Sequence, residues 1–224
     1  MIDVNSWTAL LLEKLQTHFG KRLLFLGLQG SYQRGEAHEG SDIDIVTVLD
    51  RLDIGDLSAY KKAIRTMPEA ELACGFICGL PELQNWPRYD LFQLKMDTRT
   101  LYGDKAILPE VTKTDIADSI CISAAAMLHE VCHRYLYSKS GAEGLAGCYK
   151  SAFFLLQAKH YLQSGAYIPS RRGLAEALAG PEREIMERAA GWEAEKAERD
   201  AAPEKWFALL YEFLQQALKE YSRF

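Results

Sequence analysis

The sequence predicts a mixed α/β domain followed by an all-α helical bundle. Within residues 1–108, short runs rich in Ile, Val and Leu alternate with helical patterns, which is typical of a small mixed sheet flanked by helices. Within residues 109–224, apolar residues recur every three or four positions, which predicts packed amphipathic helices. Turn-forming residues cluster at 103–104 and 109–110, so we place the boundary between the two domains there.

The first half opens with a helix that Asn5 or Ser6 can cap and that Gly20 ends, because polar caps begin helices and glycine often follows them. The later elements of this half follow from apolar runs and turn residues. They are strands at 23–28 and 42–49, a helix at about 56–67, a strand at 71–78 and a possible fourth strand at 91–96.

The second half contains three long apolar stripes at helical spacing, which should pack against one another. A fourth segment, residues 181–200, is dense in Glu, Arg and Lys, which indicates a solvated helix face. The three striped helices are predicted at 115–137, 145–162 and 206–221.

The composition limits the classes of function. The chain has 224 residues, of which 48% are hydrophobic and 25% charged, and its net charge is −5. This is the balance of a folded protein with a core. An acidic chain lacks the basic surface on which binding to duplex nucleic acid depends, whereas a small nucleotide needs only a local basic pocket.

Cysteine usage and hydropathy limit the compartment. The five cysteines include no C-x-x-C pair, which argues against a disulfide framework and a Cys-rich zinc site. Apolar runs are far shorter than the ~18 residues of a membrane span, and the opening residues lack a secretory pattern. We expect a cytoplasmic protein without membrane association, and the sequence leaves its oligomeric state open.

Two aspartates stand out in the second predicted strand. Asp42 and Asp44 are two residues apart, so their carboxylates project from the same face, while Ile43 and Ile45 face the core. Carboxylates that share a face repel each other, and a divalent cation relieves that repulsion. Mg²⁺ prefers a few carboxylates together with water and phosphate oxygens, so this pair predicts a magnesium site.

A glycine–serine turn follows the first predicted strand directly. Gly30 lets a phosphate approach the backbone, and Ser31 adds a hydroxyl and an amide donor. If the two strands pair, this turn and the aspartates lie near each other. One element would then hold a triphosphate and the other its metal ions.

This pattern resembles the nucleotidyltransferase superfamily that includes DNA polymerase beta. The family signature is Gly-Ser after a strand, a loop, and Asp-x-Asp on the next strand. Gly30, Ser31, Asp42 and Asp44 match it, with residues 32–41 as the loop. The resemblance implies a nucleotidyltransferase domain at 1–108 and a helical substrate-binding domain at 109–224. This layout is similar to the aminoglycoside nucleotidyltransferases and to minimal relatives paired with helical toxin-type domains.

The resemblance also implies a third carboxylate, which joins the metal site or takes the proton of the acceptor hydroxyl. Glu71, at the start of the third predicted strand, is the best-placed candidate, although the centre of that strand carries no acid. The other candidates are Glu69, Asp90 and Asp97.

Basic residues complete the implied nucleotide site. In the aminoglycoside enzymes, a lysine of the helical domain reaches the nucleotide phosphates, and Lys150 occupies a similar place here. Arg34, in the loop after Gly-Ser, can also contact a phosphate. Arg171 and Arg172 are weaker candidates, and we expect both to be solvated.

The resemblance therefore implies an adenylyltransferase-type enzyme with Asp42, Asp44 and Glu71 as catalytic residues. Two Mg²⁺ ions and ATP, the family's usual donor, would be bound, and the acceptor would be a hydroxyl of a small, aminoglycoside-like molecule. The alternative is a regulatory or antitoxin-like module that keeps the fold and acts by binding a partner.

One competing motif is the H-E-x-x-H pattern formed by His129, Glu130 and His133, which in metalloproteases binds zinc from a helix. The sequence offers no third ligand at the spacings of those enzymes, so we interpret it as a helix with partly buried histidines. The glycines fit neither the Rossmann nor the P-loop pattern.

Overall fold

The computed structural model describes residues 2–222. The chain divides into two compact units, with the boundary between Glu110 and Val111. The helices and strands of the first unit are, in chain order, α1 (Val4–Phe19), β1 (Leu23–Gln29), α2 (Gly30–Arg34), β2 (Ile43–Leu49), α3 (Ile54–Arg65), β3 (Ala73–Gly79), α4 (Leu80–Asn85), α5 (Leu91–Asp97) and β4 (Arg99–Gly103).

The four strands form a mixed sheet in the order β3-β2-β1-β4. Strand β2 runs parallel to β3, and β1 runs antiparallel to both β2 and β4. The small mixed sheet that the sequence predicts is confirmed. One face of this sheet packs against α1 and α3, and its buried residues include Trp7, Leu11, Leu15, Leu26, Leu28, Ile43 and Ile45. Because side chains alternate along a strand, Asp44 points to the opposite face.

The cap of α1 differs from the prediction. Asp3 caps this helix, because its carboxylate accepts hydrogen bonds from the backbone N–H groups of Asn5 and Ser6 and from the Ser6 hydroxyl. Asn5 and Ser6 therefore lie inside the first turn. An aspartate with extended backbone geometry satisfies the free amides of a first turn well, and this one lies two residues before Asn5 and three before Ser6, the two predicted caps.

Residues 91–96 are not a strand. They form α5, and the fourth strand is β4, which pairs with β1. A short apolar run has the same signature in a buried strand and a buried helix, and in the folded chain this one is a helix whose Leu91 and Phe92 are buried. The correction matters because it moves Asp97 to the end of a helix.

An ion pair ties the start of β1 to α3 and makes the stability of the first unit depend on pH. Arg22 donates to both carboxylate oxygens of Asp56, at 2.8 and 2.7 Å, and to Asp50 at 2.9 Å. These hydrogen bonds from Arg22 lower the pKa of Asp56 from 3.8 to about 2. Because the folded-state pKa is depressed, the stabilisation is complete above 3.8 and is lost as the pH falls towards 2.

We expect Asp56→Asn to lower the urea midpoint of the first unit near neutral pH, because the amide cannot pair with the guanidinium. The difference from the native chain should shrink as the pH falls below about 4. Urea unfolding between pH 7 and 3 measures it, with Glu13→Gln, an exposed acid on α1, as the control. A difference that stays constant across this range would contradict the assignment.

The second unit is helical, as the sequence predicts. Its helices are α6 (Lys113–Tyr137), α7 (Ala146–Ser164), α8 (Arg171–Ala177), α9 (Gly180–Ala190), α10 (Lys196–Ala201) and α11 (Pro203–Tyr221). Helix α6 packs against α7 and α11, and α7 packs against α9. Among the described residues, no helix is both long enough and apolar enough to cross a bilayer.

The charged segment 181–200 is only partly solvated. On α9, Arg183 forms an exposed i,i+4 pair with Glu187, as a solvated face requires. Arg199 breaks the prediction because it is fully buried. Its guanidinium donates to Glu143 and to the Trp192 carbonyl, and it lies 4.0 Å from the centre of the Trp192 ring. Arginine tolerates such burial because its planar group can stack and hydrogen-bond at once.

Candidate active site

The glycine–serine turn and the aspartate pair meet where β1 ends. Gln29, the last residue of β1, pairs with Asp44 of β2, and the next residue, Gly30, begins α2. Gly30 has a φ of +73°, and a Cβ at this position would lie 1.9 Å from the Oδ2 atom of Asp44. The Asp44 carboxylate therefore occupies the space that a side chain at residue 30 would need.

The two aspartates are presented differently. Asp44 is the second residue of β2 and is half-buried, whereas Asp42 lies just before the strand and is exposed. A closed turn precedes them: the Ser41 hydroxyl accepts from the His38 N–H at 2.9 Å, and the Ser41 N–H donates to the His38 carbonyl at 3.0 Å. This turn directs the chain into β2 with Ile43 in the core.

Arg34 and Asp97 form a buried ion pair behind the turn. The Asp97 Oδ2 atom accepts from the Gly30 N–H at 3.2 Å and from Arg34 Nη1 at 2.5 Å, and Arg34 Nε donates to Glu36 at 3.1 Å. The side chains of Arg34 and Asp97 are each 7% exposed. Burial raises the pKa of Asp97, with Asp44 adding to the rise and Arg34 opposing it.

The sequence ranks Asp97 only as an alternative third acid, yet the structure brings it to the turn. Asp97 and Arg34 are 63 residues apart, so no local pattern links them. The signal that was available is an aspartate at a helix end immediately before β4, the strand that pairs with β1. Reading residues 91–96 as a strand concealed it.

The third carboxylate of the resemblance is not found on β3. In the parallel register, Cys74 is the partner of Asp44, and its exposed thiol hydrogen-bonds the Asp44 side chain. Desolvation raises the pKa of this thiol, and the charges of Asp44 and Asp42 raise it further. A neutral thiol is a poor proton acceptor, so Cys74 does not replace a carboxylate base.

The other acids offered by the sequence, Glu71, Glu69 and Asp90, are not bonded to the glycine–serine turn by any described hydrogen bond. Glu71 is exposed in a 3-10 turn, Ala70–Leu72, which precedes β3. Its role as a base stays a prediction. Glu69 lies before that turn with a φ of +50°. Asp90 accepts a hydrogen bond from the Trp86 indole at 2.7 Å.

The donor set of Asp42 and Asp44 fits magnesium only in part. Among residues 2–222, no group of three or more His, Cys, Asp or Glu side chains is placed to hold a metal ion. Two carboxylates supply hard oxygen ligands, and Mg²⁺ commonly takes its remaining ligands from water and substrate phosphates. The site therefore fits a magnesium ion that arrives with a nucleotide.

Two further predictions fall in the second unit. Lys150 is exposed on α7, and its role as a phosphate ligand stays a prediction. His129 and His133 are exposed on α6, not partly buried as expected, because they lie away from the buried stripe of that helix. Glu130, between them, pairs with Arg134.

A family model matches most of the first unit. Residues 9–98 match a family model described as a nucleotidyltransferase domain, and this stretch contains Gly30, Ser31, Asp42 and Asp44. Over these residues the chain is similar to nucleotidyltransferase domains. No curated protein sequence matches it.

One solved structure extends the likeness in fold to both units. The crystal structure of spectinomycin adenyltransferase AAD(9) from Enterococcus faecialis, with ATP and spectinomycin, matches with a TM-score of 0.60 and 16% identity. The match covers 96% of this chain and 99% of that one. A toxin–antitoxin structure with AMP-PNP matches with a TM-score of 0.33 and 18% identity, covering 57% of this chain and 93% of that one. The chain thus shares the fold of AAD(9).

Proposed function

We propose that this protein is a Mg²⁺-dependent adenylyltransferase that moves AMP from ATP to a hydroxyl of a small, aminoglycoside-like molecule. The observation that carries the proposal is the contact between Gly30 and the Asp44 carboxylate, because it joins a phosphate-binding turn to a metal-binding pair. The fold of AAD(9), whose structure contains ATP and spectinomycin, supports the donor and the acceptor class.

Each part of the site has a role in this proposal. The backbone and hydroxyl of Gly30–Ser31 bind the triphosphate, since glycine leaves room for phosphate oxygens. Asp42 and Asp44 hold magnesium together with those oxygens. Bound there, magnesium supplies positive charge that stabilises the developing negative charge of the transferred group.

The transfer itself needs a base beside the acceptor. The acceptor oxygen forms a bond to the α-phosphorus, the bond from that phosphorus to the bridging oxygen breaks, and pyrophosphate leaves. We assign the acceptor's proton to Glu71, which must come within ~3 Å of the hydroxyl or reach it through one water. Its exposed position before β3 leaves it accessible to an acceptor.

Binding of ATP to the double variant Asp42→Asn/Asp44→Asn tests the proposal. Without the carboxylates, magnesium loses its protein ligands, so we expect the affinity for Mg-ATP to fall about 100-fold. Calorimetry with and without Mg²⁺ measures it, and Glu39→Gln, an exposed acid in the preceding loop, is the control. Transfer is then followed with α-labelled ATP and a panel of aminoglycoside-like acceptors.

One observation favours the alternative, a module that binds a partner and transfers nothing: the β3 position beside Asp44 holds Cys74 and not an acid. That function predicts a native chain without nucleotide affinity and a stable complex isolated from cells. A folded native chain that binds no nucleoside triphosphate would contradict the adenylyltransferase proposal and support this alternative.

A further inference from the structure

Asp97 is placed to control the shape of the glycine–serine turn. It ends α5, and one of its oxygens, Oδ2, receives both the Gly30 N–H and Arg34 Nη1. Its other oxygen, Oδ1, is buried and has no hydrogen-bond partner among the described residues. A desolvated carboxylate of this kind costs stability unless it is paired, so its presence calls for an explanation.

The charges around Asp97 come from four elements. Arg34 of α2 pairs with it directly, and Asp44 of β2 repels it. Lys105, in the 3-10 turn after β4, attracts it and donates to the Thr98 carbonyl at 2.6 Å. Lys95, on α5, is paired with Glu110. The negative charge of Asp97 is thus balanced mainly by the positive charge of Arg34, which also pairs with Glu36.

Gly30 is held from two sides by this arrangement. Its Cα faces the Asp44 carboxylate, and its N–H is bound by Asp97. Arg34, four residues further along, is bound by the same Asp97 oxygen. One atom of α5 therefore fixes both ends of α2, which a hydrogen-bonded ion pair can do with well-defined geometry.

We propose that Asp97 is a positioning residue that holds the Gly30–Ser31 turn and Arg34 in the arrangement that receives the triphosphate. The inference rests on the proposed function, since it concerns the same site. Asp97 touches neither nucleotide nor metal in this role. It fixes the turn before ATP arrives, so that binding does not have to order it.

The variant Asp97→Asn tests this role, because asparagine keeps the size and one acceptor for the Gly30 N–H but loses the charge that holds Arg34. We expect its affinity for Mg-ATP to fall about tenfold. Arg34→Gln removes the same pair from the other side. The double variant should bind ATP no more weakly than the weaker single variant, because the two changes break one interaction.

Two controls separate positioning from stability. Met67→Ala removes a buried side chain from the core on the opposite face of the sheet, so it should lower the melting temperature yet keep ATP affinity. Glu110→Gln removes an ion pair to α5 at a side chain that is 91% exposed, and it should change neither. If Asp97→Asn does not fold, Arg34→Lys replaces it, since lysine cannot reproduce the arginine fork.

The outcomes are distinct. ATP affinity lost in Asp97→Asn but kept in Met67→Ala supports the positioning role. Native affinity in Asp97→Asn, or a loss that Met67→Ala shares, overturns it while leaving the proposed function intact. A native chain that does not bind Mg-ATP overturns the proposed function, and this inference with it.

Discussion

Gly30→Ala is expected to abolish detectable ATP binding and to destabilise the first unit. The new Cβ would lie 1.9 Å from the Asp44 Oδ2 atom and 2.8 Å from its Cγ, so either the carboxylate or the turn must move. The backbone φ of +73° adds roughly 1–2 kcal/mol of strain for a residue with a Cβ. Displacing Asp44 removes a proposed magnesium ligand, so we expect at least a 100-fold loss of Mg-ATP affinity, about 3 kcal/mol.

The control lies five residues along the same segment. Gly35 has a φ of +72°, and a Cβ there would have no heavy atom within 4 Å. Gly35→Ala should therefore incur the same backbone strain alone, roughly 1–2 kcal/mol, and keep its affinity for ATP. Calorimetry and thermal melting of both variants measure the contrast. Equal ATP affinity in the two alanine variants would show that the contact with Asp44 has no part in nucleotide binding.

Arg199→Ala is expected to lower the free energy of unfolding of the second unit strongly. The side chain is fully buried, and its guanidinium lies 4.0 Å from the Trp192 ring centre and 5.4 Å from that of Trp206. Removing it leaves a cavity between these rings and takes the donor from the Trp192 carbonyl. Large-to-small changes at buried positions cost about 3 kcal/mol or more, and we expect a loss of that size in the free energy of unfolding.

Urea unfolding followed by tryptophan fluorescence measures this loss, since two tryptophans contact the arginine. Arg172→Ala is the control, because that side chain is 90% exposed and, within residues 2–222, forms an ion pair only with its helical neighbour Glu176. Such an exposed pair contributes little to stability, because water screens the two charges. Arg199→Lys should also lose stability, since an ammonium cannot stack as a guanidinium does. Equal midpoints for Arg199→Ala and Arg172→Ala would refute a structural role for the buried arginine.

Local patterns were sufficient for much of the fold and for the outline of the site. Alternation in β2 places Ile43 in the core and Asp44 on the other face, and apolar spacing of three and four places the long helices of the second unit. The neighbourhood of Gly30 and Asp44 also follows, because strands joined by a short loop commonly pair. These features depend on residues close in sequence, which is why a pattern can predict them.

Predictions from the sequence were wrong where one pattern is compatible with two different structures. The apolar pattern of residues 91–96 is compatible with both a strand and a helix, and the packing of the folded chain makes this segment α5. The charge pattern of segment 181–200 predicts a solvated helix face, yet Arg199 is buried. Its guanidinium stacks on tryptophan rings and pairs with Glu143. Glu143 lies 56 residues before Arg199, so no local pattern predicts that pair.

The sequence by itself indicated the resemblance to nucleotidyltransferases, since Gly30, Ser31, Asp42 and Asp44 stand in the order of that signature, and it determined the change from mixed sheet to helices. The tertiary structure alone decided that Cys74 is the neighbour of Asp44 on β3, and that Asp97 holds Gly30 and Arg34. The reason is physical: strand register and the ion pair across 63 residues arise only when the whole chain packs, so no local spacing encodes them.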